Sequence, residues 1–181
     1  MQILTQDFYN QNTLTVAKEL LGCIFIKTNK NGLLQIGKIV ETEAYTQDDP
    51  SCHAYKGKTK RSITLFKEPG ITYVYFTYGM HHCINVVTEP YGTAGAVLIR
   101  AIEPIQNIEN TNGPAKLCKA MGITTEHNEI KVFEEKSQIK ICKGEIIADK
   151  NIIQTTRIGI KLATEYPWRF YDKTSKYVSK K

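Results

Sequence analysis

Two glutamates separated by one residue are the first candidates for chemistry in this sequence. In the segment IVETEAY, an extended chain places Glu41, Glu43 and Tyr45 on one face of the strand. Because a carboxylate is rarely buried without a partner, this face either meets solvent or lines a polar cleft in which one glutamate acts as a general base. The alternation of side chains does not choose between Glu41 and Glu43.

An arginine in a later strand segment is the natural partner for such a carboxylate. Arg100 ends the apolar run AVLIR. A guanidinium beside a carboxylate pairs with it in a defined geometry and can help to position a water molecule. Taken alone, an arginine such as Arg100 is more often an ordinary surface cation.

Aromatic residues are concentrated in the segment YVYFTYGMHH. Tyr73 and Tyr75 share one strand face, and Tyr78 stands beside Gly79 at a tight turn. Strand tyrosines usually pack half-buried, whereas a tyrosine at a hairpin tip has little protein to pack against. Tyr78 is therefore a candidate wedge between stacked bases, although an exposed aromatic also suits a protein contact.

A basic cluster directly precedes this aromatic segment. Residues 56–67 contain no acidic residue, and the chain as a whole carries a net charge of +6 with a pI near 9.0. This pattern is typical of a loop that contacts phosphates, and a solvated charged loop is the alternative. The cations are Lys56, Lys58, Lys60, Arg61 and Lys67.

The histidines and cysteines do not indicate a metal site. His81 and His82 are neighbours in a strand segment, so they point to opposite faces and cannot hold one ion together. The 5 cysteines are at least 24 residues apart and are expected to be free thiols. We expect no metal and no cofactor. A metal-dependent hydrolase that uses His53, His81 or His82 with a glutamate remains the alternative.

Helices and strands that would position these residues follow from periodicity and turn signals. Asn12 or Thr13 caps a first helix that ends at Gly22, and Asn31-Gly32 predicts a β-hairpin between residues 23–28 and 33–45. Residues 48–68 read as a long loop with one helical turn. The remaining predictions are strands at 71–78, 82–88, 94–104, 138–148 and 157–160, and a helix from Pro114 to Gly122.

These elements predict one α+β domain over residues 1–181, with an antiparallel sheet as its core and flanking helices. The length of 181 residues and 41% hydrophobic content suit a single core. Residues 173–181 are expected to form a flexible basic tail. We find no apolar run of about 18 residues and no signal-peptide pattern, so we expect an intracellular protein, which in a bacterium would be in the cytoplasm or the nucleoid. We also expect a monomer.

The sequence resembles the alkyladenine (3-methyladenine) DNA glycosylase family in a series of segments that occur in the family's order. They are GKIVETEAY, HAYKGKTKRS, PGITYVYFTYGMHHCINVV, VLIRAIEP and NGPAKLCKAMGI, followed by RIGI at 157–160 and PWRFY at 167–171. The resemblance implies a protruding DNA-binding β-hairpin and a duplex containing damaged purines as partner. It implies a monofunctional enzyme that flips an alkylated purine out of the duplex and directs water at C1′, which starts base excision repair.

The resemblance also assigns roles to individual residues. Glu43 matches the general base, Arg100 matches a residue that helps hold the attacking water, and the carbonyl of Ile158 is expected to contact the same water. Tyr45, His53 and Tyr75 match the walls around the extruded base, Asn85 matches an obstruction to the amine of guanine, and Tyr78 matches the side chain that fills the gap in the duplex.

Departures from the family pattern fall outside this set. The usual T-P-R-N is T-K-R-S at 59–62, His81 replaces a frequent aromatic residue, and the segment 124–156 carries no assignment.

A nucleic-acid binding module without catalysis is the second alternative, because it would explain the basic and aromatic residues and leave Glu43 as a surface residue.

Overall fold

The protein folds as a single α+β domain, as the sequence predicts. The computed structural model describes residues 1–77 and 79–181, and within them eight strands form one sheet in which every paired strand is antiparallel. The strands are β1 (Ile24–Thr28), β2 (Leu34–Thr46), β3 (Thr72–Thr77), β4 (His81–Val87), β5 (Gly95–Gln106), β6 (Ile139–Cys142), β7 (Ile152–Thr155) and β8 (Arg169–Asp172). The α-helices are α1 (Gln6–Tyr9), α2 (Thr13–Glu19) and α3 (Pro114–Ala120).

Strand β2 organises the sheet. The strand order is β3-β4-β5-β2-β1-β6, with β5 along one edge of β2. The other edge of β2 is shared, because its first half pairs with β1 and residues 41–43 pair with β8, which also pairs with β7. The register with β5 shifts on both sides of Glu41, which marks a β-bulge. Glu43 therefore has strand neighbours on both sides, opposite Leu98 and Arg169.

The predicted first helix, α2, covers this part of the sheet. The side chain of Asn12 caps it by accepting hydrogen bonds from the amides of Leu14 and Thr15. Val16 and Ala17 are fully buried, and the carbonyl of Ala17 accepts a hydrogen bond from the Thr42 hydroxyl at 2.7 Å. The helix thus fixes the face of β2 opposite to the glutamates.

Two predicted hairpins are present. β1 and β2 pair from Ile24 opposite Lys38 to Thr28 opposite Leu34, and the turn uses Gly32 at a φ of 77°. β3 and β4 pair from Thr72 opposite Val86 to Thr77 opposite His81. Tyr78 lies outside the described residues, and DNA binding by this second hairpin stays a prediction.

The C-terminal third differs most from the sequence prediction. The proposed strand at 157–160 is wrong, because this segment is a loop held by the Arg157 side chain, and β7 and β8 were missed. Part of the expected flexible tail is packed, since Ser175 and Val178 are buried. Across residues 1–77 and 79–181, no helix combines the length and apolar character needed to cross a membrane.

Candidate active site

Glu43 is a fully buried carboxylate surrounded by hydrogen-bond donors. Its Oε1 accepts a hydrogen bond from the amide of Ile158 at 2.8 Å and lies 3.2 Å from Nη1 of Arg100. Its Oε2 accepts a hydrogen bond from the Tyr45 hydroxyl at 2.8 Å. The alternative in which this strand face meets solvent is wrong, because both Glu41 and Glu43 are 0% exposed.

Arg100 is held between the two glutamates. Its Nε donates to Oε1 of Glu41 at 3.2 Å while its Nη1 faces Glu43. Burial on its own would lower the pKa of Arg100, but the charges of Glu43 and Glu41 outweigh burial and raise that pKa. Arg100 is therefore a fixed cation inside the site, and the surface alternative for it is wrong.

Tyr45 donates to Glu43 as a neutral phenol. Its pKa is raised well above the ordinary value, first by burial and then by the charge of Glu43. A phenol that keeps its proton remains a donor over the working pH range. Its ring lies 4.6 Å from the guanidinium carbon of Arg157.

Besides Arg100, the Glu41 carboxylate has its own partners, and both of its oxygens accept hydrogen bonds from protein groups. Its Oε1 accepts from Nε of Arg169 at 2.9 Å and from the Ser179 hydroxyl at 2.9 Å, and its Oε2 accepts from the Ser179 amide at 2.6 Å. The Glu41 carboxylate thus joins β2, β5 and β8 to the C-terminal residues. This saturated environment marks Glu41 as a structural carboxylate.

A cavity of about 490 Å³ opens beside Glu43. This size falls within the ~300–1,000 Å³ range of small-molecule sites. Among the described residues, the three that contact Glu43 as donors line this cavity, namely Tyr45, Arg100 and Ile158. The cavity wall also includes the predicted pocket residues His53, Tyr75 and Asn85. The structure therefore brings the predicted pocket residues together with Arg100 and Ile158 around one space, and Glu43 contacts this wall from the buried side through Tyr45, Arg100 and Ile158.

His53, Tyr73 and Tyr75 form an aromatic cluster in this wall. Nδ1 of His53 lies 2.9 Å from the hydroxyl of Tyr73, and its ring meets the ring of Tyr75 edge-on at 4.7 Å. Burial, assisted by the charge of Arg61, lowers the pKa of His53 to about 4. At neutral pH His53 is an uncharged imidazole, which can offer one donor and one acceptor.

Asn85 lies opposite Tyr73 in the β3–β4 hairpin and is buried. Its Nδ2 donates to the Tyr73 carbonyl at 3.0 Å. Its side-chain oxygen and the second N–H of its amide remain for a molecule in the cavity. The expectation that it discriminates against guanine stays a prediction.

The residues of the basic cluster differ in their surroundings in the structure. Lys56, Lys58, Lys60 and Arg61 are exposed, as phosphate-binding residues must be. Arg61 also lies 5.3 Å over the ring of Tyr75, so it borders the cavity. Lys67 differs, because its Nζ forms a 2.6 Å ion pair with Glu129.

The metal alternative finds no ligand set in the described part of the chain. Among residues 1–77 and 79–181, no group of three or more His, Cys, Asp or Glu side chains is placed to hold a metal ion. His81 is exposed, and His82 packs against Phe76 with ring centroids 5.0 Å apart. All 5 cysteines are free and buried.

Sequence reasoning missed several charged and polar residues of the site. Arg157 and Asp49 form a buried ion pair at the cavity edge, and Arg169 and Ser179 hold Glu41. Arg157 and Arg169 do stand in the RIGI and PWRFY segments, which was the available signal. Their partners lie more than a hundred residues away in the chain, so the pairing could not be read from spacing.

The antiparallel α+β domain places a buried carboxylate beside an aromatic cavity, an arrangement that is typical of enzyme active sites. The profile of the family described as Methylpurine-DNA glycosylase (MPG) matches residues 7–176, and the chain belongs to this family.

Bacterial relatives cover nearly the whole chain. A protein from Carboxydothermus hydrogenoformans is 50% identical over 99% of this chain and 100% of its own length. Relatives from Clostridium perfringens and Chlorobium phaeobacteroides are 44% and 45% identical, over 98% and 100% of this chain and 99% and 97% of their own lengths. Each of the three carries the name "Putative 3-methyladenine DNA glycosylase".

Proposed function

We propose that the protein is a monofunctional DNA glycosylase that removes 3-methyladenine and related alkylated purines from duplex DNA. The observation that carries the proposal is the fully buried Glu43 carboxylate, whose donors Arg100, Tyr45 and Ile158 line a cavity of about 490 Å³. The family and the names of the relatives support the same substrate class. The enzyme would act as a monomer on DNA inside the cell and start base excision repair.

A buried general base requires that the damaged nucleotide leave the helix. A purine inside a duplex cannot reach a carboxylate below the protein surface, so the nucleotide must rotate into the cavity. Tyr45, His53 and Tyr75 would then surround the base. An alkylated purine such as 3-methyladenine is cationic, and a positive ring is attracted to the faces of tyrosine rings. The neutral imidazole of His53 adds no repelling charge.

The chemical step follows from the donors around Glu43. Glu43 takes a proton from a water molecule, the water oxygen bonds to C1′, and the C1′–N bond breaks with its electrons going to the purine. A cationic purine leaves as a neutral base. The sugar gains positive character on the way, and the carboxylate stabilises it as in an inverting glycosidase. Arg100 and Tyr45 hold the carboxylate in position for this step.

The products distinguish this reaction from that of a glycosylase that also cuts the strand. Such enzymes use an amine to form a Schiff base with C1′. Lys161 is among the residues that line the cavity and is the candidate for such an amine. We expect no strand cleavage and no covalent product after borohydride treatment, and Lys161→Ala should keep the rate of base release.

The test is mass analysis of free bases released from methylated duplex DNA. Wild-type protein should release 3-methyladenine in the presence of a chelator. Glu43→Gln should lower single-turnover release by about 10²–10⁴-fold while lesion binding is kept, because an amide cannot accept the proton. Glu103→Gln, on the same sheet but outside the cavity, is the matched control.

Each alternative function predicts a different result. Wild-type protein that binds methylated duplex without releasing a base would identify a binding module. Release that stops with chelator and returns with added metal would identify a metal-dependent hydrolase. Near-normal release by Glu43→Gln would remove Glu43 from the mechanism.

A further inference from the structure

Arg157 is a buried charged residue with several contacts, and it directly precedes the cavity-lining residues 158–162. Its Nη1 donates to the Ala44 carbonyl at 2.9 Å and to Asp49, and its Nη2 donates to Oδ1 of Asp49 at 3.0 Å. The guanidinium carbon lies 4.6 Å from the Tyr45 ring and 5.1 Å from the Trp168 ring. Both Arg157 and Asp49 are buried.

This ion pair joins two segments that both contribute to the cavity wall. Asp49 directly precedes the lining residues 50–53, and Arg157 directly precedes the lining residues 158–162. A second contact joins the same segments, because the Ser51 hydroxyl donates to the Leu162 carbonyl at 2.5 Å. The loop at 157–160 has no strand ladder to hold it, so these side-chain contacts fix its position.

The position of that loop matters because its backbone reaches the general base. The amide of Ile158, the residue after Arg157, donates to Oε1 of Glu43 at 2.8 Å. We propose that Arg157 and Asp49 are a positioning pair, which holds the 157–162 loop so that the Ile158 backbone and Glu43 are aligned for the attacking water. The inference rests on the proposed glycosylase function, and it adds two residues to the machinery of that reaction.

The two-point contact between Arg157 and Asp49 predicts which substitutions should slow base release. A lysine keeps the charge but cannot contact both oxygens of Asp49 and the Ala44 carbonyl at once. Asp49→Asn keeps the shape but removes the charge. Small displacements of reacting groups can lower a rate by about 10²-fold without loss of substrate binding. Arg157→Lys and Asp49→Asn should therefore lower single-turnover base release about 10- to 100-fold, with lesion affinity changed less than about threefold.

Loss of folding must be separated from loss of alignment. Trp168 is the single tryptophan of the chain and packs on Arg157, so its fluorescence reports whether each variant is folded at the assay temperature. Chemical rescue provides the second readout. Guanidinium ion at low concentration should restore base release by Arg157→Ala, whereas sodium chloride at equal ionic strength should not, because only guanidinium can occupy the vacated site.

Ser51→Ala keeps the proposal testable if the buried variants do not fold. It removes only the second contact to the loop, at a half-buried position, and should lower release about two- to fivefold at unchanged affinity, as loss of one neutral hydrogen bond would. Normal release by folded Asp49→Asn and Arg157→Lys would overturn the proposal, as would rates that follow only the folded fraction. Normal release by Ser51→Ala would overturn it if those variants are unfolded. An inactive wild-type protein would instead refute the proposed function.

Discussion

Glu41 and Glu43, two residues apart on β2, share the guanidinium of Arg100. Nε of Arg100 faces Glu41 and Nη1 faces Glu43, each at 3.2 Å. The other partners of Glu43, Tyr45 and Ile158, line the cavity, whereas the other partners of Glu41 are Arg169 and Ser179, which do not line it. Glu41 therefore has a structural role and Glu43 is the candidate general base, although the sequence alone could not distinguish the two positions.

Glu41→Gln should affect stability more than catalysis. The substitution leaves Arg169 buried without a full counter-charge, and loss of one partner of a buried ion pair costs roughly 3–5 kcal/mol in the free energy of unfolding. Glu43→Gln should cost less, because Arg100 keeps Glu41 as a partner. Urea denaturation of both variants, beside their release rates, checks this contrast. A larger stability loss for Glu43→Gln would contradict it.

Tyr45→Phe should slow base release while it leaves the stacking surface in place. The substitution removes the 2.8 Å hydrogen bond to Oε2 of Glu43 and keeps the ring. A hydrogen bond to a charged group contributes about 1.5–3 kcal/mol, so the single-turnover rate should fall roughly 10- to 100-fold. Lesion affinity, measured by titration of labelled duplex, should change little. A matching loss of affinity would mean that the hydroxyl acts on the base instead.

The sequence predicted the elements that depend on local signals, and it could not predict those that depend on contacts between distant residues. The β1–β2 hairpin and helix α2 follow from an Asn-Gly turn and an Asn cap, which are signals within a few residues. The resemblance selected the residues that meet at the cavity. The loop at 157–160 looked like a strand because its apolar residues alternate, and its true conformation depends on Asp49, far away in the chain.

The alternation of side chains along β2 also could not predict that Glu41 and Glu43 are both buried. Alternation predicts one polar face on β2, but β5 and β8 flank the strand and supply the two arginines that make burial possible. The bulge at Glu41 interrupts the alternation at the same place. Such partners become visible only when the sheet topology is known.

The exposed cations of the 56–61 loop should set the salt dependence of DNA binding. Each phosphate contact that is lost should lower the slope of log K against log salt by about 0.9 and weaken binding equally across sequences. The triple alanine variant of Lys56, Lys58 and Lys60 tests this, and Lys67→Ala is the control because Lys67 is paired with Glu129. An unchanged slope in the triple variant would leave these lysines as solvated surface residues.

Arg61→Ala should differ from the lysine variants because Arg61 also lies over the Tyr75 ring. Besides a smaller salt slope, it should change how the lesion is held in the cavity. A lesion-specific change in affinity, measured against undamaged duplex, is the expected sign. Equal loss of affinity for damaged and undamaged DNA would reduce Arg61 to a phosphate contact.

His53 should make the free energy of unfolding depend on pH. Its pKa is lowered to about 4 in the folded protein, so between this value and about 6.5 the unfolded chain binds more protons. Stability therefore falls as the pH drops from about 6.5 towards 4. In His53→Gln this part of the loss should be absent. Urea denaturation across this range checks the difference, with His81→Gln at an exposed site as the control.

The buried histidine His127 does not affect the comparison between wild-type and His53→Gln protein. Its pKa is also lowered, first by burial, so it contributes a loss of the same sign. Because His127 is present in both wild-type and His53→Gln protein, its effect cancels in the difference. Parallel stability curves for the two proteins would show that His53 carries no such linkage.

Tyr78 is expected to fill the gap left by the extruded nucleotide, and this prediction concerns a residue outside the described part of the structure. Unstacking and unpairing a base costs a few kcal/mol, and least when the base is already mispaired. A side chain that refills the stack offsets part of that cost. Tyr78→Ser should therefore lower the flipped population on a paired duplex, and the deficit should shrink when the lesion lies in a mismatch or bulge.

Tyr75→Ser is the matched comparison for this experiment, because Tyr75 lines the cavity. A cavity wall stacks on the extruded base whatever its original pairing was, so the Tyr75→Ser deficit should be similar in both duplexes. A fluorescent base analogue beside the lesion reports the flipped population of each variant. A Tyr78→Ser deficit of the same size on paired and mispaired duplexes would show that this tyrosine does not act as the wedge.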